Sequence, residues 1–80
     1  MVKEFKHYIA WTDVMRAGNG FVGVIEYQRK LPCSMVHVLW VINPQIRDED
    51  ESEDAATAML EQISEITAAG KVIYSDGVAL

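Results

Sequence analysis

The residues that could carry chemistry in this chain are one cysteine and two histidines. Cys33 and His37 stand four residues apart, and His7 lies near the N-terminus. A structural zinc site needs four ligands in paired spacings, and nucleophilic catalysis needs an orienting third group and an oxyanion site. The sequence supplies neither set, so it predicts no catalytic residue, no metal ligand, no cofactor and no enzymatic activity. A small-molecule or metal site at a subunit interface near His37 and Cys33 is kept as an alternative.

A second feature is the acidic run 48–54, which holds six of the 12 acidic residues. It begins like an EF-hand loop, but the sixth position is Glu53 instead of glycine and the twelfth is Met59 instead of glutamate. We therefore expect a solvated segment that leads into a helix. The alternative is an acidic inhibitor that presents this segment to a basic protein. The partner-binding residues would then be Asp48, Glu49, Asp50 and Glu51.

Charge and hydropathy exclude two classes of partner. The chain of 80 residues has a formal net charge of -5, and its seven basic residues are dispersed, so we expect no binding to nucleic acid. The longest apolar stretch, 35–42, is far shorter than the ~20 residues that cross a bilayer, so we expect no membrane insertion. The first residues lack the apolar core of a signal peptide, and we expect a cytoplasmic protein.

Alternating apolar and polar residues predict two strands, over 5–15 and 21–30. A three-residue loop, Gly18-Asn19-Gly20, would join them as a hairpin, with Gly20 in the left-handed conformation. This loop keeps Asp13 from facing Glu26, two like charges. The residues that share one face in that register are Ile9, Trp11, Met15, Phe21, Ile25 and Tyr27. Those on the other face include Tyr8, Val14, Val22 and Val24.

A helix is predicted where apolar residues recur at spacings of three and four. These residues are Ala56, Met59, Leu60, Ile63 and Ile66. The helix is expected over 53–69, with Ser52 or Asp50 as the N-cap and Gly70 as the residue that ends it. A short strand over 71–75, a turn at Asp76-Gly77 and a tail complete the chain.

Together these elements predict one domain, 1–80, of the α+β class: a small antiparallel sheet in β-β-β-α-β order, with one amphipathic helix packed on one face. The third strand, 35–42, is apolar on both sides, although a single helix can cover only one face of the sheet. A second copy of the chain is the simplest cover for the other face. We therefore predict a homodimer. Its interface would include Val22, Val24, Val38 and Trp40.

Three short motifs resemble parts of the HicB-type antitoxins. They are Gly20-Phe21-Val22, Leu31-Pro32-Cys33 and the helix start Glu53-Asp54-Ala55-Ala56. That family has a small strand-strand-strand-helix domain with a Gly-Tyr-Val strand and a Leu-Pro-Gly-Cys turn. This chain lacks the glycine between Pro32 and Cys33, and its 35–42 strand replaces a short polar link. The resemblance implies an antitoxin-like inhibitor as an alternative function. The main prediction from the residues is a non-enzymatic interaction or regulatory module.

Overall fold

The computed structural model describes residues 1–42, 45–46 and 48–76. Its elements are, in chain order, β1 (Val2–Glu4), β2 (Tyr8–Ala17), β3 (Gly20–Arg29), β4 (Val36–Val41), α1 (Glu49–Gln62), β5 (Ile63–Ile66) and β6 (Val72–Tyr74). The first four strands form an antiparallel sheet in the order β1-β2-β3-β4, and β5 pairs with β6. The predicted α+β class, with a helix packed on an antiparallel sheet, is confirmed. Gly77 of the predicted turn and the predicted tail, 78–80, lie outside the described residues.

The turn between β2 and β3 is shorter than the sequence predicts. Ala17 pairs with Gly20, so the loop has two residues, Gly18 and Asn19. Gly18 has a φ of 59°, and among the described residues neither Asn19 nor Gly20 has a positive φ. A positive φ at the first loop position alone is typical of a type II′ turn, whose twist suits a hairpin. The predicted three-residue loop with a left-handed Gly20 is therefore wrong.

The shorter loop changes which side chains share a face, because a shift of one residue in register moves every side chain of a strand to the opposite face. Glu26 pairs with Trp11, so Asp13 does not face it directly. Val22 and Val24 lie on the same side as Trp11, and not with Tyr8 as predicted. The two-residue turn at Gly18 and Asn19 fits this register, which also keeps Asp13 from pairing directly with Glu26.

Helix α1 begins and ends earlier than the apolar spacing predicts. Asp48 is the N-cap, and its side chain accepts a hydrogen bond from the Glu51 backbone N–H, so Ser52 and Asp50 lie inside the helix. The acidic first turn stabilises this start through the helix dipole. Gly70 does not end the helix but has a φ of 86° in the turn between β5 and β6. Within the described ranges, no helix is long and apolar enough to cross a membrane.

The buried isoleucines after the helix explain where the prediction of its end was wrong. Ile63 and Ile66 are each 1% exposed, but they belong to β5. Their β-branched side chains favour an extended backbone, and β5 buries them at its two ends. The spacing therefore identified core residues correctly and assigned them to the wrong element.

The main core lies between α1 and one face of the four-stranded sheet. Ala10, Ile25, Ala56 and Leu60 are fully buried there. The helix approaches β3 so closely at Gly23 that a Cβ at this position would lie 2.3 Å from the Ser52 carbonyl oxygen. A glycine at this point is what allows α1 to pack flat on the sheet.

The C-terminal end of α1 is held by a side chain from β1, a strand that the sequence pattern did not predict. The Lys3 ammonium donates to the Ile63 carbonyl at 2.6 Å, and to the Leu60 and Glu61 carbonyls at 3.4 Å. The last turn of the helix has no basic residue of its own. Lys3 therefore supplies the positive charge that favours a helix C-terminus.

Candidate interaction surface

The side of the four-stranded sheet that faces away from α1 is the candidate functional site, and we call it the open face. Side chains alternate between the two sides of a strand, so residues next to the helix-facing Ala10 and Ile25 lie on it. The apolar members of the open face are Val2, Ile9, Trp11, Met15, Val22, Val24, Val36, Val38 and Trp40. Its polar members are Glu4, Asp13, Glu26 and Gln28.

All four residues predicted for a dimer interface lie on the open face. Val24 pairs with Trp40 across β3 and β4, while Val38 pairs with Glu26. Trp40 is 49% exposed and Val38 is 43% exposed, whereas Val24 is fully buried. Because α1 lies on the other side, Val24 is covered by its neighbours on the open face. The structure therefore brings Val22, Val24, Val38 and Trp40 into one surface.

Two carboxyl groups lie within this apolar surface. Glu26 has Trp11 on one side and Val38 on the other, and Asp13 is its diagonal neighbour on β2. Loss of hydration raises the pKa of Glu26, and so do the hydrogen bond and the charge repulsion from Asp13, while a hydrogen bond with Trp11 opposes them. The two carboxyl groups can share a proton. From the sequence alone, the same two residues indicate only a pair of like charges that the hairpin register must keep apart.

The sheet has two very different edge strands. β1 at one edge has three residues, two of which are Lys3 and Glu4. β4 at the other edge has six residues, Val-His-Val-Leu-Trp-Val, and contains no proline, acid, lysine or arginine. Edge strands are normally protected from pairing with other chains by charge, proline or shortness. β1 has this protection and β4 lacks it.

The acidic residues predicted to bind a partner lie at the N-terminal end of α1. Asp48 caps the helix, and Glu49, Asp50 and Glu51 form its first turn. All four are exposed. Acidic residues at this position stabilise a helix through its dipole and through the cap, so a structural role accounts for them.

Cys33 and His37 lie on either side of the start of β4. Cys33 is an exposed thiol with a φ of 59° in the loop before the strand. The His37 ring stacks on Tyr27, with 5.1 Å between the ring centroids. In the part of the chain that the structure describes, no group of three or more His, Cys, Asp or Glu residues could hold a metal ion.

A groove of about 520 Å³ lies between α1 and β6, away from the open face. Its walls include Ala55, Met59 and Tyr74, with Gln62 and Asp76 at the rim. The Tyr74 hydroxyl already contacts the Met59 sulfur at 3.7 Å. The lining contains neither the cysteine nor a histidine.

Comparison of the chain with protein-family models, with curated proteins and with solved structures finds no match. The resemblance to the HicB-type antitoxins gains no support from these comparisons. Evidence for the function of this chain therefore comes from the open face and the β4 edge.

Proposed function

We propose that this protein is a non-enzymatic interaction module that works as a homodimer, with strand β4 at the edge of the open face as its contact surface. The observation that carries this proposal is the row Val36, Val38 and Trp40, which are 41%, 43% and 49% exposed. They follow one another along a single side of an unprotected edge strand. Contiguous apolar surface of this kind marks sites of protein association.

The size of the open face supports association. At ~4.8 Å between strands and ~3.3 Å per residue, three strands of six residues and the three-residue β1 present roughly 330 Å² in projection. The largest apolar patch on a typical monomer is about 300–600 Å² and is often functional. Burial of apolar surface contributes about 25 cal/mol per Å², so burying the part of this face that borders β4 offsets part of the cost of association.

A second copy of the chain is the occupant that we propose. An isologous interface needs one self-complementary patch, and the uncharged β4 with its apolar row is such a patch. The domain is also small, with 80 residues and no internal disulfide. Domains of this size gain stability when they share apolar surface with a partner subunit. The cytoplasmic location inferred from the sequence stays a prediction.

The proposal is tested by one added charge at each edge of the sheet. Val38→Lys on β4 should convert a dimer to a folded monomer, because Val38 is 43% exposed and lysine at an edge strand opposes pairing. Val2→Lys on β1, where the side chain is 66% exposed, is the matched control and should leave the mass unchanged. Light scattering reports the mass and circular dichroism reports folding. Equal masses for the wild type and both variants would contradict the proposal.

The inhibitor alternative predicts a different sensitive segment. If the acidic residues serve only α1, replacing Glu49 and Glu51 together by Gln should lower stability by no more than about 0.5 kcal/mol. It should also leave the affinity for any captured partner unchanged. A large, salt-dependent loss of affinity for a basic protein would favour the inhibitor instead.

A further inference from the structure

We propose that two copies pair through the outer edges of β4 as antiparallel neighbours, so that two four-stranded sheets become one eight-stranded sheet. This inference rests on the proposed homodimer and specifies its geometry. The open faces of the two copies then lie side by side and remain accessible, instead of packing against each other.

The outer edge of β4 is chemically suited to pairing with another strand. β4 is the outer strand of the sheet, so one row of its backbone N–H and C=O groups lacks a partner strand among the described residues. Such a row is a template for another strand. None of the devices that normally block such pairing is present over Val36–Val41, whereas Lys3 and Glu4 provide charges on the three-residue β1.

The side chains of β4 are complementary to those of a second, antiparallel β4. A two-fold axis perpendicular to the sheet at Val38 or Leu39, the centre of β4, keeps both open faces on the same side. Either position of the axis places Trp40 beside a valine of the other copy. His37 then faces Leu39 or Val41 of the other copy, so the seam brings no pair of like charges together. Cross-strand pairs of aromatic and β-branched residues stabilise a sheet.

Packing the open faces of two copies against each other would be less favourable than edge pairing. Packing the two open faces together would bring both Asp13 and Glu26 pairs into one interface from which water is excluded. Partial loss of hydration and the neighbouring Asp13 already raise the pKa of Glu26. Four carboxyl groups without a cation would be poorly stabilised in such an interface. Edge pairing leaves them in water on β2 and β3.

The distinguishing experiment combines backbone amide exchange with a second variant. In the edge-paired dimer, outward β4 amides should exchange at least about tenfold more slowly at high than at low protein concentration. Met15→Lys changes an open-face residue of β2 that is 44% exposed. Because β2 lies two strands, about 10 Å, from the proposed seam, this variant should keep the mass of the dimer.

The possible results separate edge pairing from the homodimer itself. A dimer in which β4 amides gain no protection and which Met15→Lys dissociates would overturn edge pairing while leaving the homodimer intact. A chain that stays monomeric at every concentration would overturn the proposed function and the geometry together. Protection confined to β4, with a Met15→Lys variant of dimer mass, supports the inference.

Discussion

The two faces of the four-stranded sheet differ in what covers them. Val24 and Ile25 are neighbours on β3 and both are fully buried. Ile25 belongs to the core cluster with Leu60 of α1, whereas Val24 is covered by other side chains of the open face. Around Val24, the open face leaves large apolar groups such as Trp40 half exposed. Helix α1 thus covers one face of the sheet and leaves the other face partly exposed.

The strongest test of this difference adds one methyl group to the covered face. Gly23→Ala would place a Cβ 2.3 Å from the Ser52 backbone oxygen, so α1 must move away from β3. We expect the free energy of unfolding to fall by about 2–3 kcal/mol, as for overpacking in a core. Urea unfolding measures it.

The matched control adds one methyl group to the open face. Val2→Ile changes a side chain on β1 that is 66% exposed and lies at the edge of the sheet opposite to β4, so the free energy of unfolding should change by less than about 0.5 kcal/mol. Similar losses for Val2→Ile and Gly23→Ala would mean that the two faces are packed alike.

A second prediction concerns how the helix is held on the covered face. Lys3→Met keeps the length of the stem but removes the ammonium that binds the Ile63 carbonyl at 2.6 Å. We expect a loss of about 1–2 kcal/mol, which is typical of a charged hydrogen bond at a helix C-terminus. Lys6→Met, at an exposed position, is the control for removing a positive charge. If both variants lose the same stability, the cap contributes nothing specific.

A third prediction concerns the turn that decides which residues share each face. Gly18 has a φ of 59° and open space around its Cα, so Gly18→Ala tests backbone conformation without a steric clash. It should lower thermal stability by about 1 kcal/mol. Gly18→Asn should cost less, because asparagine tolerates a positive φ better. If Gly20→Ala lowered thermal stability more than Gly18→Ala, the three-residue loop would be favoured over the two-residue loop.

The smallest effect is expected for two carboxyl groups of the open face, Glu26 and Glu4. Their variants should differ in how the free energy of unfolding depends on pH. The pKa of Glu26 is raised in the folded state, so the folded chain holds its proton longer and loses stability as pH rises through this window. Glu26→Gln should therefore be more favourable at neutral than at acidic pH. Chemical unfolding at several pH values measures the difference.

Glu4 provides the opposite case on the same face. Its hydrogen bond and ion pair with Lys30, at 2.6 Å, lower its pKa, so it stabilises the fold at neutral pH and this contribution is lost as pH falls through that lowered pKa. Glu4→Gln should be less favourable at neutral than at acidic pH. Parallel pH profiles for the Glu4 and Glu26 variants would contradict the assigned environments.

Much of the fold follows from local sequence patterns. Alternation located β2 and β3, a continuous apolar run located β4, and apolar spacing located the buried face of α1. The pattern failed where other factors determine structure. The turn conformation at Gly18 decides the hairpin register, and the lysine that caps the helix is distant from it in sequence. Ile63 and Ile66 fit a helical period while folding as a strand, because apolar spacing alone does not separate a short strand from a helix end.

The candidate surface was partly predictable. The apolar runs indicated that one helix could not cover both sides of the sheet, and this identified Val22, Val24, Val38 and Trp40. The acid pair within the surface depends on the register of β2 against β3, so a register wrong by one residue hides it. The contrast between the two edges needs the strand order, which local patterns do not supply.

We propose above all that β4, the strand at the edge of the surface left uncovered by α1, pairs with a second copy of the chain. Sedimentation equilibrium of the unmodified chain at micromolar concentrations and neutral pH tests it most directly. We expect a species of twice the chain mass of 9.0 kDa that dissociates on dilution. A single folded species of 9.0 kDa at every concentration would contradict it.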